Sequence, residues 1–523
     1  MYEATIDARR GLTIRHSARF GLALVLLLGA LGFVLFTTLA SPLKDDTAWL
    51  LYVAQQWLAG RQLYVDLIEV NPPMIVWILA LPVAISAALG VTAKLVAIPF
   101  FAACMLGSAG WCAKLLRGFG PLGTAPLALF AVIGAVLLVL PGLEFGQREH
   151  LFAAAALPYL CIFARRLDGT HPRPVEEIIA GILAGVGCAI KPQFLVAFAL
   201  LEIVGRVHGL RLLRRMTISA AATVLVYIAA VLLIHPAYFR SAIPLGLALY
   251  GASDATWLQL LASGRGALLG SVVAVMLWWI YRRKVSDSAL PLTLTVFAAG
   301  SMLVWLLQDK SWFYHLLPAT IFTTLVLAYW ASALPRPGIR RRSALFIAIS
   351  VVIGFSGIGV AAFSRWQDQI ATTVGSRTPT EEKLEALIRS ERAKSYIAFS
   401  QWIALGFPVV NATGVVWSSR FDSMWALEGE VWRRRIDGHL PRDWPVHSWI
   451  VEDFLAGRPD LAVVDERGGI GYISTLSSLD ARFKDAWSQY RPIAAFDGLR
   501  VFRRQPVQRS ISGACCIAPN DQF

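Results

Sequence analysis

Two adjacent carboxylates, Asp45 and Asp46, open a polar stretch that runs past Arg61, Asp66, Glu69 and Asn71 to a Pro72-Pro73 pair. Paired acids suit general acid–base work on a hydroxyl, because one can take a proton while the other orients or tunes it. Their bland reading is a helix start: Trp49, Leu50, Val53, Ala54, Trp57 and Leu58 recur at helical spacing, so 47–59 reads as an amphipathic interfacial helix with both aspartates at its N-terminus. A second grouping, Gln147, Arg148, Glu149 and His150, stands at the mouth of an apolar run. Arg148 and His150 suit a phosphate, and Glu149 an acceptor or a partner base. A third, Lys310 with Tyr314 and His315, offers a point charge and two donors beside Trp312 and Phe313. The plainer readings are snorkelling anchors for the second and an aromatic belt for the third. Lys191, alone inside a long apolar run, joins the cations.

The elements that must position these residues are membrane spans. Of the 523 residues 56% are hydrophobic and 16% charged, which departs far from a soluble chain. Apolar runs follow one another at Phe20–Ala40 and at about 73–90, 93–116, 122–141, 151–165, 176–206, 216–235, 263–281, 289–307, 314–333 and 343–363. Lys191-Pro192 breaks 176–206 into two. The expected fold is therefore mainly α, a polytopic bundle of about 11–13 spans, with a small soluble α/β domain from 364 to 505 and a disordered tail beyond. In that domain 378–394 reads as a capped helix, 446–455 and 477–490 as helices, and 407–410, 461–464 and 499–502 as strands.

Charge placement sets the orientation. Residues 1–363 carry 28 Lys/Arg against 15 Asp/Glu, and residues 364–523 carry 20 against 19. The excess sits between spans, as the positive-inside rule expects, rather than on a face made for nucleic acid. With the N-terminus and the clusters around Arg165, Arg214, Arg282 and Arg341 in the cytoplasm, all three polar groupings and the C-terminal domain fall outside. The acids agree: Asp45, Asp46, Asp66, Glu69, Glu144, Glu149, Asp254 and Asp309 all lie in outer loops. One of the three apolar runs between 73 and 141 must then fail to cross. Cys104, Cys112, Cys161 and Cys188 read as small buried hydrophobes, and Cys515 and Cys516 are adjacent in the tail.

Asp45-Asp46 after a first span, a large outer loop, Glu69 and Pro72-Pro73 entering the next segment, and Glu149 about a hundred residues on resemble the GT-C superfamily of polytopic glycosyltransferases. The likeness is to its bacterial aminoarabinose transferase and protein O-mannosyltransferase branch, and it covers residues 1–363. The chain departs from the aminoarabinose group in having Asn71 where a Lys precedes the Pro-Pro pair, and Ala48 and Trp49 where an Arg follows the acids. The resemblance implies an inner-membrane glycosyltransferase, hexosyl or pentosyl. Its donor is a polyprenyl-phosphate sugar and its acceptor an envelope lipid, glycan or protein. Asp45, helped by Asp46, serves as base in an inverting attack, with Glu149 as the further acid. The donor phosphate falls to Arg61, Arg148, His150, Lys191, Lys310 or His315, with Glu69, Asn71, Gln147 and Tyr314 lining the site. No cofactor is implied, and a divalent metal stays open. The rivals are a transporter or flippase of lipid-linked sugars, which calls for internal repeats and midplane charges, and a scaffold with an outer binding domain.

Overall fold

The computed structural model describes residues 2–119, 123–250, 255–282, 289–334, 341–438 and 444–505, with side chains from residue 21 onward. Asp254, Arg283, Lys284, Arg336, Arg340, the side chains of the N-terminal arginines, and the tail with Cys515 and Cys516 lie outside these residues.

The first helix, α1 (Tyr2–Ala40), leads into α2 (Asp45–Leu58), α3 (Met74–Leu89), α4 (Ala93–Leu115), α5 (Pro126–Val139) and α6 (Arg148–Leu167). The hydrophobic runs then give α7 (Pro174–Ile190), α8 (Leu195–Val207), α9 (Arg215–Ile234), α10 (Ile243–Leu249), α11 (Trp257–Tyr281), α12 (Ala289–Leu307), α13 (Phe313–Ala333) and α14 (Arg341–Thr373). Among the described residues, 8 helices are long and apolar enough to cross a bilayer. Their outward faces expose large apolar side chains such as Val25, Leu225, Val226, Leu233 and Leu258, a surface that only lipid satisfies. The chain is an integral membrane protein.

The break at Lys191-Pro192 is where the sequence places it. Pro192 cannot continue the hydrogen-bond ladder, a 3₁₀ turn spans Pro192–Phe194, and α8 turns back beside α6. Phe194 stacks on Phe152 near the start of α6, and Glu202 meets Tyr159 further down it. The run that fails to cross is α3. At its start the Met74 N–H donates to the Tyr227 hydroxyl, and Trp77 Nε1 donates to His235 just beyond α9. Just past its end, Lys94 Nζ donates to the carbonyls of Leu39 and Ser41 at the end of α1. Both ends of α3 are thus at one end of the bundle. α4 then runs to the other end, where the Leu115 carbonyl accepts from Arg165. Hydropathy could not separate α3 from a span, but the lysine anchor does.

Helix α14 carries the chain ten residues past its apolar run, to Thr373, before α15 (Thr380–Ser390) begins the soluble domain. The sheet there has strands β1 (Ser395–Phe399), β2 (Val416–Trp417), β3 (Leu461–Asp465), β4 (Tyr490–Phe496) and β5 (Leu499–Arg504) in the order β2-β1-β3-β5-β4. β1 is parallel to β2 and β3, and β5 is antiparallel to β3 and β4. Expected strands at 461–464 and 499–502 are present. The expected strand at 407–410 is instead a turn entering the short helix α16 (Val409–Thr413), and 477–490 divides into two short helices that stop before β4. Between β2 and β3 in the chain come helices α17 (Trp425–Asp437), which packs on α10, and α18 (Val446–Gly457), whose Phe454 packs on Phe399 of β1 and Tyr490 of β4.

The domain sits on α2. Trp49 packs 4.9 Å from Phe407, the Asn411 amide donates to the Ala48 carbonyl, and the Ile68 N–H donates to the Arg420 carbonyl at 2.7 Å. Every residue from Thr47 to Ala54 is buried. The expected interfacial helix is therefore a sandwiched one, buried between α3 and the domain, with Trp49 of its apolar stripe packed on the domain's Phe407.

Candidate functional site

Successive helical residues point about 100° apart, so α2 aims its two aspartates in different directions. Lys44 rather than an aspartate is the N-cap, and no side chain caps the helix. Asp45 turns toward Lys44, whose Nζ is 3.0 Å from Oδ1, and the same oxygen accepts the Asp46 N–H. Burial pushes the Asp45 carboxyl up; Lys44 opposes this and Asp46 adds to it. Asp46 turns into the bundle. Its Oδ1 accepts from Arg148 Nη2 at 2.9 Å, and Gln147 Nε2 reaches Oδ2 at 3.5 Å.

Gly146 makes that contact possible. Its φ of +86° is left-handed, and a Cβ there would come within 2.2 Å of Phe101, so only glycine turns the chain into α6 at this point. Arg148 follows, buried, with its guanidinium 5.6 Å from the Tyr314 ring centre. Its Nε is buried and has no hydrogen-bond partner among the described residues. Glu149, fully buried, lies 2.8 Å from Lys191 Nζ and 3.2 Å from His315 Nδ1. The sequence assigned Glu149 to catalysis and Lys191 and His315 to a phosphate. In the structure Glu149 pairs with Lys191 and touches His315, as a buried foundation rather than an open surface.

Other expected ligands are differently engaged. His150 accepts the Gly146 N–H at Nδ1, and its Nε2 is 2.7 Å from the Leu137 carbonyl, so both ring nitrogens serve the backbone. It pins the Gly146 turn to α5 and has no atom left for a phosphate. Glu69 accepts the Trp49 indole N–H at one oxygen and both the backbone and side-chain N–H groups of Asn71 at the other. The Asn71 carbonyl in turn accepts the Tyr64 hydroxyl. Glu69 and Asn71 are thus the hardware that folds the loop onto α2. Arg61 is exposed beyond the C-terminal end of α2, about 20 Å along the helix from the aspartates. Lys310 is near the site, but its Nζ turns to the Tyr250 carbonyl at 3.2 Å and lies between the Tyr250 and Trp312 rings.

Three groups escaped sequence reasoning. Glu144 lies one turn before Arg148, 3.4 Å from Gln147 Nε2, and its carboxyl is pushed up to about 7 by burial and by Asp45, Asp46 and Glu149, against Lys44. Asp422 comes from the soluble domain, immediately after the Ile68–Phe421 bridge that joins that domain to the loop. Burial, then Glu69 and Asp46, push its carboxyl up to about 8, while the Trp425 indole N–H, donated at 2.9 Å, opposes the shift. Tyr250 bridges the halves: its ring is 5.3 Å from Trp425 and 6.1 Å from Trp312, and burial and the charge of Asp46 hold its hydroxyl well above the usual phenol range. Glu144 was visible as an outer acid. Nothing in the sequence ties 250 or 422 to residue 46.

The site so built has a largely buried carboxylate, Asp46, against a buried guanidinium, with Tyr250 and Asp422 near enough to feel its charge. Such a set can take a proton from a hydroxyl, hold an anionic leaving group, and keep bulk water low. Among the described residues no three His, Cys, Asp or Glu side chains are grouped to hold a metal ion.

No protein-family model matches the chain, and no curated protein matches its sequence. Among solved structures, it is similar to the archaeal oligosaccharyltransferase AglB from Archaeoglobus fulgidus in complex with an inhibitory peptide and a dolichol-phosphate. The TM-score is 0.48 at 11% identity, over 94% of this chain and 75% of that one. A second structure of the Archaeoglobus fulgidus oligosaccharyltransferase, tethered to an acceptor peptide, gives a TM-score of 0.47 at 11% identity, over 93% and 75%. At that level of likeness the functional reading rests on the site itself.

Proposed function

We propose that this chain is a GT-C type glycosyltransferase of the plasma membrane, moving a sugar from a polyprenyl-phosphate donor to an envelope lipid, glycan or protein at the outer face. The observation that carries the reading is the Asp46–Arg148 pair: a largely buried carboxylate at 2.9 Å from a buried guanidinium whose Nε has no partner among the described residues. The donor's phosphate oxygens fit that vacant N–H and the planar fork beside it. The acceptor hydroxyl lies against Asp46, which takes its proton as the hydroxyl oxygen bonds to the anomeric carbon. The bond from that carbon to the phosphate oxygen breaks, and the electron pair leaves on the polyprenyl phosphate, stabilised by Arg148. Attack from the face opposite the leaving group inverts the anomeric configuration. Asp46 rather than Asp45 is the base, because it alone of the two faces Arg148. Asp45, with Lys44, sets the field behind it.

The test is transfer by the purified protein in nanodiscs. The donors are a panel of polyprenyl-phosphate hexoses and pentoses, and the acceptors are extracted envelope lipids, glycans and proteins, read by mass spectrometry. Asp46→Asn should lower turnover by about 10²–10⁴-fold while polyprenyl phosphate still binds. Full turnover in that variant removes the base from the mechanism. Translocation of the lipid-linked sugar across the bilayer with no transfer at all would favour a flippase.

A further inference from the structure

The soluble domain carries a cavity that the catalytic chamber does not use. Beyond the carboxyl end of β3, on the side of β5, lies a crevice of about 490 Å³, lined by Asp465, Glu466, Gly468, Tyr472, Trp487 and Arg500 among others. Its volume suits one or two sugar rings.

We propose that this crevice binds an uncharged saccharide, the sugar-bearing part of the acceptor; this deepens the transferase reading and rests on it for the word acceptor. Charge selects the class. Asp465 is clamped by Arg467 through two hydrogen bonds of 2.8 Å and accepts the Ser400 hydroxyl at 2.7 Å. Glu466 accepts from Arg500 Nε at 2.6 Å. Two acids thus balance two arginines, and the mouth presents donors and acceptors in pairs with no net charge. A phosphate or carboxylate would have to break these pairs and meet the acids left behind. A polyhydroxylated ring bonds to both partners without breaking either. The walls supply the rest of a sugar site. Trp487 lines the cavity with its ring stacked on Tyr490 at 5.0 Å, rigid and ready to pack against ring C–H groups.

The experiment uses the full chain in nanodiscs and saturation-transfer NMR. The probes are methyl glycosides of glucose, mannose and N-acetylglucosamine, with glycerol phosphate as the anionic control. A Cβ at Gly468 meets nothing within 4 Å, so Gly468→Trp fills the crevice without crowding the fold. At least one glycoside should receive saturation from the natural chain and from Asp46→Asn, and lose it, roughly tenfold or more in apparent Kd, in Gly468→Trp. Glu466→Lys, at an exposed rim, should weaken the glycoside and gain glycerol phosphate. No saturation of any glycoside up to about 10 mM overturns the proposal, as does unchanged binding in Gly468→Trp or a preference of the natural chain for glycerol phosphate. Loss in Asp46→Asn with retention in Gly468→Trp would move the sugar to the catalytic chamber and also overturn it. These readouts need no turnover, so they stand or fall apart from the transferase reading. Where turnover is seen, Gly468→Trp should raise the acceptor KM and leave kcat unchanged.

Discussion

Replacing Lys191 by Met separates a foundation from a ligand. Lys191 Nζ lies 2.8 Å from Glu149 Oε1, and His315 Nδ1 lies 3.2 Å from the same oxygen. Side-chain exposures are 6%, 0% and 8% for Lys191, Glu149 and His315. Met keeps most of the side-chain volume, so the change is chiefly electrostatic. It leaves a carboxylate buried with one weak partner, and breaking a buried pair in this way costs about 3–5 kcal/mol. Scaling of unfolding entropy with chain size gives ~1–2 °C per kcal/mol for a chain this long, so the apparent Tm should fall by roughly 5 °C. Adding Glu149→Gln removes the orphaned charge and should restore at least half of the loss. The assay is thermal unfolding of the single and double variants in nanodiscs at one scan rate, since membrane proteins unfold irreversibly. A stable Lys191→Met whose only defect is a raised donor KM would refute the reasoning and return Lys191 to the phosphate, where the sequence first put it.

His150→Ala should destabilise by about 1–3 kcal/mol, because the Gly146 N–H and Leu137 carbonyl lose their partner, with the donor KM unchanged once protein is matched for folded fraction. Arg148→Lys keeps the charge but loses the fork, and should raise the donor KM by ~10-fold or more, measured by titrating polyprenyl-phosphate sugar. Asp422 gives a pH signature. Its folded carboxyl stands at about 8 against an ordinary 3.8, so between these values the folded state holds a proton that the unfolded state has lost. Its contribution to stability is full below about pH 4, declines as pH rises, and is lost above about pH 8. Asp422→Asn should flatten that slope in a pH series of unfolding midpoints, and an unchanged slope would place the group elsewhere.

The sequence made part of this legible and hid the rest for physical reasons. Asp45-Asp46 on a helix start, Arg148 at the mouth of α6 and the break at Lys191-Pro192 were readable, because each is a local matter of spacing, capping or proline geometry. Burial was not readable. Glu149 and Asp46 are both acids in the same class of loop, yet one is locked among cations at 0% exposure and the other faces a chamber. The engagement of His150 could not be read, because its partners are backbone groups, the Gly146 N–H and the Leu137 carbonyl, which every sequence contains and none displays. Tyr250 and Asp422 reach the site only through packing between distant elements, and no periodicity links them to α2. The soluble domain hid β1 for a related reason: Ser395–Phe399 is short, buried on both faces and lacks the alternation that marks a half-exposed strand.

The division of labour between the two aspartates follows from these contacts. Arg148 is held from below, through the Glu149–Lys191–His315 cluster that fixes the start of α6, and from the side by the Tyr314 ring. Only its contact with Asp46 lies on the partly exposed side of the chamber. In the free protein, then, Arg148 and Asp46 occupy each other. A donor phosphate that takes up Nε and the fork competes with Asp46 for the same guanidinium. On the proposed mechanism Asp46 would be released from its cation when the leaving group arrives, and would then be the carboxylate nearest the acceptor. Asp45 cannot share this behaviour, because its partner Lys44 is its own chain neighbour and stays with it whatever binds. Coupling of this kind needs the two carboxylates to be adjacent in sequence yet opposed in space, and the first turn of a helix supplies that arrangement.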